Sequence, residues 1–172
     1  MIVVSDSTPI ISLVKIGMLD LLKRFYGEVI LPDAVFYEVC GNPIFEAESA
    51  VIKSCGFIKT KAAENTQAIK ILRSSGLDLG ESEAIVLADT LQDALLLMDE
   101  RKGRQIAQNM GIRTVGTLGI LLRAKEIEIV KQIKPLLDMM INENIRIGAS
   151  LYRSILEKAG ELQPALPLQR GL

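Results

Sequence analysis

The chain has 172 residues, of which 49% are hydrophobic and 24% are charged, and its formal net charge is −1. This length and composition are typical of one folded domain with a substantial core, and they argue against intrinsic disorder. The sequence contains no histidine. That absence excludes Ser-His-Asp and Cys-His nucleophilic catalysis, together with every metal site that needs a histidine ligand.

The cysteines and the apolar runs narrow the class of protein further. Cys40 and Cys55 do not form the close pair that a zinc site needs, and we interpret both as small core residues. No apolar run has the length of a membrane span, and Lys15, Lys23 and Arg24 interrupt the N-terminal apolar stretch. That stretch also lacks the features of a signal peptide. We therefore expect a cytoplasmic protein that does not associate with membranes.

Strands alternate with helices along the predicted chain. The predicted strands cover residues 2–5, 29–31, 57–60, 94–98 and 112–115, and the most hydrophobic of them, 94–98, is expected at the centre of the sheet. The predicted helices cover residues 10–25 with a break at Gly17, 34–39, 46–54, 65–73, 80–91, 101–110, 117–124, 129–141 and 149–158.

This alternation implies parallel pairing through right-handed crossovers, so the predicted fold is α/β, with three α/β/α layers around a central parallel sheet. We expect a single domain over residues 1–160. Pro164, Pro167 and Gly171 near the end predict a loose tail over residues 161–172.

Four carboxylates fall where this fold would bring them together. Asp6 and Asp99 each follow an apolar run that predicts a buried strand, and open α/β sheets place their ligands at the carboxyl ends of such strands. Glu38 and Glu81 lie on predicted helices that could flank the same edge. Converging carboxylates repel each other unless a cation lies between them, and oxygen ligands alone favour Mg²⁺ or Mn²⁺. The set predicts metal-assisted hydrolysis of a phosphodiester.

Each of these residues also has a purely structural interpretation. Asp6 and Asp99 could be N-caps of the helices that follow them. Glu38 comes three residues after Val35 and therefore lies close to the apolar face of its helix, where a carboxylate needs a partner or a metal. A solvated position at the edge of the helix is the alternative.

Glu81 and Glu83 both lie in the first turn of a predicted helix, where the helix dipole alone would favour acidic side chains. The two residues point to different sides of the helix, so both cannot face one site equally. Glu81 shares a face with Ala84 and Ile85, which are expected to pack inward. We therefore assign Glu81 to the predicted site and keep Glu83 as the second choice.

The distribution of charge differs along the chain. Residues 1–99 carry 8 basic and 14 acidic side chains, whereas residues 100–158 carry 11 basic and 6 acidic ones. Arg101, Lys102 and Arg104 follow Asp99 closely, and one of them could contact a phosphate or neutralise the carboxylates. The alternative is an ordinary solvated start of a helix. Gly116-Thr117 before a helix is a further, weaker candidate for phosphate binding through backbone N–H groups.

Five segments occur in an order that resembles the PIN-domain ribonucleases. These are residues 4–11, 31–39, 80–85, 97–104 and 115–119, which together span nearly all of residues 1–125. The similarity is greatest to the branch that resembles the toxin halves of bacterial and archaeal toxin–antitoxin pairs. The resemblance implies Asp6 as the first metal ligand, Glu38 as the second carboxylate and Asp99 as the fourth. Glu81 takes the third position, where many relatives have aspartate.

The resemblance also implies a function. It predicts a Mg²⁺- or Mn²⁺-dependent endoribonuclease that hydrolyses RNA phosphodiester bonds, as the toxin of a toxin–antitoxin pair, with Ser7 and Thr8 supporting the site through hydrogen bonds. The expected partners are RNA, an antitoxin protein and further copies of the chain in a homodimer or higher oligomer. The apolar helices after Ile129 could cover the sheet, form that homodimer or accept an antitoxin helix.

Two other functions compete with this one. The chain could be a catalytically inactive PIN-like module that only binds RNA or a protein partner. It could also be a phosphatase-like hydrolase in which Asp6 attacks the phosphate. That chemistry usually needs a second aspartate shortly after the first, and Thr8 stands at that position.

Overall fold

Five short strands form one sheet in the computed structural model, which describes residues 1–162. They are β1 (Val3–Ser5), β2 (Val29–Pro32), β3 (Ile58–Lys61), β4 (Leu95–Leu97) and β5 (Arg113–Val115). Their order is β3-β2-β1-β4-β5, and every neighbouring pair is parallel. The predicted parallel sheet is therefore confirmed. The expectation that the strand at 94–98 is central was wrong, because β1 occupies the centre and β4 lies beside it.

Helices alternate with these strands. They are α1 (Ser7–Lys15), α2 (Asp20–Tyr26), α3 (Asp33–Cys40), α4 (Glu46–Ser54), α5 (Thr66–Ser74), α6 (Leu79–Thr90), α7 (Arg101–Asn109), α8 (Thr117–Glu126), α9 (Lys134–Asn142) and α10 (Ala149–Lys158), with a 3-10 turn at Pro43–Phe45. The arrangement is the three-layer α/β/α fold predicted from the sequence.

The inner strands are buried on both faces. Val4 and Leu96 belong to one hydrophobic cluster with residues of α5, α6 and α7. Val3 and Leu97, whose side chains point to the opposite face, are buried as well. Burial on both faces explains why β1 and β4 have continuous apolar sequences rather than alternating ones. It also explains why hydrophobicity alone did not identify which of the two is central.

Helix boundaries agree with the sequence to within about three residues except near residue 130, and the first helix begins at Ser7 and not at residue 10. The predicted break at Gly17 separates α1 from α2, and Gly17 has a φ of +68°. The helix predicted over 129–141 begins only at Lys134. Glu128 has a φ of +61°, which a continuous α-helix does not allow, and Pro135 lies in the first turn of α9, where proline is favoured.

The chain forms two compact units, Met1–Ile120 and Leu121–Leu172. In the second unit, the carboxylate of Glu161 accepts hydrogen bonds from the backbone N–H groups of Ile133 and Lys134, at 2.6 and 2.8 Å, and from the ammonium group of Lys125. Glu161 thus caps the start of α9. The single domain expected over 1–160 stays a prediction, and the tail predicted over 161–172 lies outside the described residues from residue 163 onward.

Substitution Glu161→Ala should lower the free energy of unfolding by about 1–3 kcal/mol, because charged hydrogen bonds of this kind contribute that much. Its side chain is 9% exposed, whereas that of Glu157, which pairs with Arg153, is 59% exposed. The control substitution Glu157→Ala should lower the free energy of unfolding by at most about 0.5 kcal/mol. Urea denaturation of both variants measures the difference, and equal costs would contradict the capping role.

Candidate functional site

The carboxyl edge of the sheet positions two of the predicted residues, and a third lies on the helix that follows the neighbouring strand. In the pairing of β1 with β4, Ser5 lies opposite Leu97, and the backbone N–H of Asp6 donates to the carbonyl of Leu97 at 2.9 Å. Asp6 and Asp99 therefore leave the sheet at the same edge, on adjacent strands. Strand β2 ends at the same edge and leads directly into α3, which carries Glu38.

Asp6 is the buried acidic residue of this edge, with only 3% of its surface exposed. It occupies the N-cap position of α1, but its side chain makes no capping hydrogen bond. Burial raises the pKa of Asp6 from 3.8 to about 7. The backbone N–H of Ser7 opposes this shift, and the negative charges of Asp78, Glu81 and Glu38 increase it. The fold thus holds Asp6 where its ionised form is costly.

Glu38 is held by the residue that follows Asp6. The hydroxyl of Ser7 donates to Oε1 of Glu38 at 3.1 Å, which links the start of α1 to α3. Glu38 as a whole is exposed, but its carboxyl group is partly buried, and this burial raises the pKa of Glu38. The hydrogen bond from Ser7 lowers that pKa, whereas the negative charge of Asp78 raises it. The support predicted for Ser7 therefore has a direct geometric counterpart.

The two glutamates of α6 point to different places. The side chain of Glu81 accepts a hydrogen bond from the backbone N–H of Asp78 at 2.9 Å, and Asp78 accepts one from the N–H of Glu81 at 2.8 Å. Partial burial raises the pKa of Glu81 despite the hydrogen bond to Asp78, and the charges of Asp78, Glu100 and Glu38 add to the effect. Glu83 instead accepts the backbone N–H of Ala34 at 2.9 Å.

Asp99 is bound by Thr117. The backbone N–H and the hydroxyl of Thr117 donate to the two carboxylate oxygens of Asp99, at 2.7 and 2.6 Å. Thr117 is 1% exposed and its N–H group is bonded to Asp99, so this N–H group does not face an incoming phosphate; for Gly116 the role stays a prediction. Nor does Asp99 cap α7, because Glu100 does so by accepting the backbone N–H of Lys102.

The three basic residues after Asp99 have different surroundings. A Cβ atom added to Gly116 would lie 2.7 Å from Oδ1 of Asp99 and 3.4 Å from Nη1 of Arg104, so Arg104 lies beside the Asp99 carboxylate. The ammonium group of Lys102 lies against Gly76, and Arg101 is exposed. These residues remain candidates for contact with a phosphate.

Asp78 is the residue that sequence reasoning missed. We call Asp6, Glu38, Asp78 and Glu81 the acidic cluster, because the charge of Asp78 acts on each of the other three carboxyl groups. A signal was present in the sequence, since an aspartate three residues before a glutamate at the start of an apolar run is the pattern of a capping box. That pattern is read as local structure, and it gives no hint of long-range proximity to Asp6.

The residues present fit a hard divalent cation by their chemistry. Among residues 1–162, no three carboxylates are close enough to hold a metal ion as they stand. The donors at the edge are nevertheless oxygens without exception, which suits Mg²⁺ or Mn²⁺. The raised pKa of Asp6 reflects burial and repulsion that a nearby cation would relieve.

Comparison with known proteins agrees with this geometry. A family model described as a PIN domain matches residues 2–161. The chain belongs to the PIN-domain family. Searches of the curated proteins and of the solved structures gave no match.

Family membership sets the broad class of the protein. The chain has a nuclease-type fold, PIN domains generally use divalent metal ions, and PIN nucleases bind RNA. No helix within residues 1–162 has the length and apolar character that crossing a bilayer requires.

Substitution Asp6→Asn should stabilise the metal-free protein at pH 8. Below pH 3.8, the ordinary pKa of the group, wild-type Asp6 is protonated in both the folded and the unfolded chain, so its ionisation does not affect the free energy of unfolding. As pH rises towards 7, the unfolded chain ionises first, and the wild type loses stability. Above pH 7 the full cost is reached, on the order of a few kcal/mol.

Thermal unfolding in EDTA between pH 4 and pH 8 measures this difference. The difference in melting temperature between Asp6→Asn and the wild type should widen as pH rises and then level off. The control Asp89→Asn removes an exposed carboxylate near the other end of α6 and should follow the wild type across the range. A gap that is independent of pH would contradict the burial argument.

Proposed function

We propose that this PIN-domain protein is a metal-dependent endoribonuclease that hydrolyses RNA phosphodiester bonds with Mg²⁺ or Mn²⁺. The observation that carries the proposal is the carboxylate of Asp6, buried at the end of the central strand. Burial raises its pKa, and the charges of Asp78, Glu81 and Glu38 add to the rise. Such a group is unfavourable in the folded protein unless it serves a positively charged ligand. When bound, the cation would activate water and neutralise charge on the attacked phosphate.

The chain's own residues would bind the cation and orient the carboxylates around it. Asp6 and Asp99 would hold the cation at the sheet edge, with Glu38 and Glu81 completing the site. Ser7 fixes the carboxylate of Glu38, and Thr117 fixes that of Asp99. These hydrogen bonds hold the two carboxylates in place before the cation binds, so less side-chain freedom is lost on binding.

RNA would be held mainly through its backbone. Arg101, Lys102 and Arg104 lie in the first turn of α7, shortly after Asp99, where their charges can attract phosphate groups towards the acidic edge. The chain contains only 3 tyrosines, 4 phenylalanines and no tryptophan, which leaves few side chains on which bases could stack.

A catalytically inactive PIN-like module is the second candidate. It is favoured by the hydrogen bonds that already occupy Glu81 and Asp99, and by the lack of a closed metal-binding group within residues 1–162. Such a module would bind RNA or a protein without cleaving RNA.

The toxin role extends the first candidate. In α9, Leu136, Leu137 and Met140 are buried, whereas Met139 and Ile141 are 42% and 45% exposed. Exposed apolar side chains of this kind suit an antitoxin helix or a second copy of the chain in a homodimer or higher oligomer. A toxin of this class would act in the cytoplasm, where its RNA substrates are.

Wild-type protein should cleave a mixed pool of single-stranded and structured RNA in Mn²⁺ or Mg²⁺, and EDTA should stop the reaction. Asp6→Asn should reduce the rate by at least about 10³-fold, because it removes the central carboxylate from the site. Denaturing gel electrophoresis of labelled RNA measures both rates.

The variant Asp89→Asn serves as the matched control, since it makes the same chemical change at an exposed position and should cleave like the wild type. Cleavage by Asp6→Asn at the wild-type rate would contradict the assignment of the site. Failure of the wild type to cleave, with RNA binding retained, would favour the inactive module.

A further inference from the structure

We infer that Arg104 is the residue that contacts an RNA phosphate beside Asp99. This inference rests on the proposed function and deepens it, because it selects one of the three basic residues after Asp99 and gives the other two different roles. The guanidinium of Arg104 binds the RNA backbone and orients it at the carboxyl edge of the sheet.

Arg104 lies over the turn that joins β5 to α8. Gly116, in this turn, is buried, and a Cβ atom there would lie 2.7 Å from Oδ1 of Asp99 and 3.4 Å from Nη1 of Arg104. The carboxylate and the guanidinium therefore lie side by side above a residue that has no side chain. A phosphate that binds Arg104 is thereby placed next to Asp99.

The guanidinium of Arg104 has no partner of its own. Over residues 1–162, its side chain makes no hydrogen bond and no ion pair, although the residue is partly buried. Asp99 is close, but its two oxygens already accept hydrogen bonds from Thr117, at 2.7 and 2.6 Å. Asp99 is thus held in place without Arg104. The N–H groups of Arg104 are left for an acceptor from outside the chain, and their planar fork fits a phosphate.

Lys102 serves a different part of the fold. Its ammonium group lies 2.6 Å from the position of a Cβ atom on Gly76, which follows the C-terminal end of α5. A positive charge near the C-terminal end of a helix stabilises that helix. Lys102 therefore supports the end of α5, and its ammonium group is directed away from the Asp99 carboxylate.

Arg101 contributes to RNA binding only through its charge. It is exposed at the start of α7, three residues before Arg104. An exposed charge of this kind attracts the RNA backbone over a distance, and salt screens the attraction. Arg101 thus provides a comparison for Arg104 on the same turn of helix.

The alternative is that Arg104 only neutralises Asp99. Replacing Arg104 would then weaken RNA binding no more than the loss of any other positive charge. A direct phosphate contact predicts a larger loss, since the guanidinium also donates hydrogen bonds to the phosphate.

Fluorescence anisotropy of a labelled single-stranded RNA of mixed sequence, in EDTA to prevent cleavage, measures the contact. Arg104→Gln should weaken RNA binding at least about tenfold, the effect of losing one charged hydrogen bond. Arg104→Lys keeps the charge without the planar fork and should recover part of the loss. The melting temperature should stay close to that of the wild type, because the guanidinium has no hydrogen bond or ion pair to lose over residues 1–162.

Arg113→Gln is the matched control for net charge. Arg113 begins β5, at the opposite edge of the sheet, where it is 55% exposed and pairs with Asp93 at 2.8 Å. Its replacement removes the same charge as Arg104→Gln and should change RNA binding by much less. Arg101→Gln should weaken binding by an intermediate factor.

The outcomes separate the inference from the function. If the wild type binds and cleaves RNA, and Arg104→Gln binds it no more weakly than Arg113→Gln or Arg101→Gln does, the inference is overturned and the proposed function stands. If the wild type binds RNA without cleaving it in Mn²⁺, the nuclease function fails, and the same comparison still decides the inference.

Two further outcomes are decisive as well. If the wild type neither binds RNA in EDTA nor cleaves it in Mn²⁺, the inference and the proposed function fail together. If it cleaves RNA in Mn²⁺ without measurable binding in EDTA, KM for cleavage replaces the dissociation constant, and the same order of variants is expected.

Discussion

The unfavourable burial of the Asp6 carboxyl group is the constraint on which the rest of the site depends. Asp6 follows directly from the central strand, and its backbone N–H completes a hydrogen bond to β4, so the residue cannot move out to solvent without breaking the sheet. Helices α3 and α6 then bring further negative charge towards it. A protein selected for stability alone would place an apolar side chain at this position.

The surrounding structure maintains this arrangement through hydrogen bonds to carboxylates. Ser7 binds Glu38, Thr117 binds Asp99, and the capping box of α6 binds Asp78 and Glu81 to each other's backbone. Each bond lowers the cost of one carboxylate at the edge, and none of them provides a positive charge. PIN domains generally use divalent metal ions, and such an ion would supply the positive charge that these bonds lack.

Much of the fold could be predicted from the sequence, because apolar runs and glycine breaks act locally. The parallel sheet and nearly all helix boundaries follow from these signals. The centre of the sheet did not, since β1 and β4 are both buried on two faces and only pairing distinguishes them. The start of α9 could not be predicted in this way, because the positive φ of Glu128 interrupts the helix and the apolar pattern of the segment does not reveal it.

For the site, position after a strand was enough to bring Asp6 and Asp99 to one edge. Contacts between distant segments could not be read in this way. Thr117 is 18 residues from Asp99. Asp78 has the local pattern of a capping box, and that pattern does not reveal that its charge acts on Asp6. The sequence pattern identifies which residues are acidic and which segments are helical, but only packing decides which carboxylates meet.

The pKa of Asp6, with and without Mg²⁺, tests the central claim most directly. It can be followed through the carboxyl carbon resonance of Asp6 in isotope-labelled protein titrated by NMR. We expect a value of about 7 in EDTA and a value below the ordinary 3.8 at saturating Mg²⁺. An ordinary value in EDTA, or a raised value that Mg²⁺ does not change, would contradict the view that this buried carboxylate serves a cation.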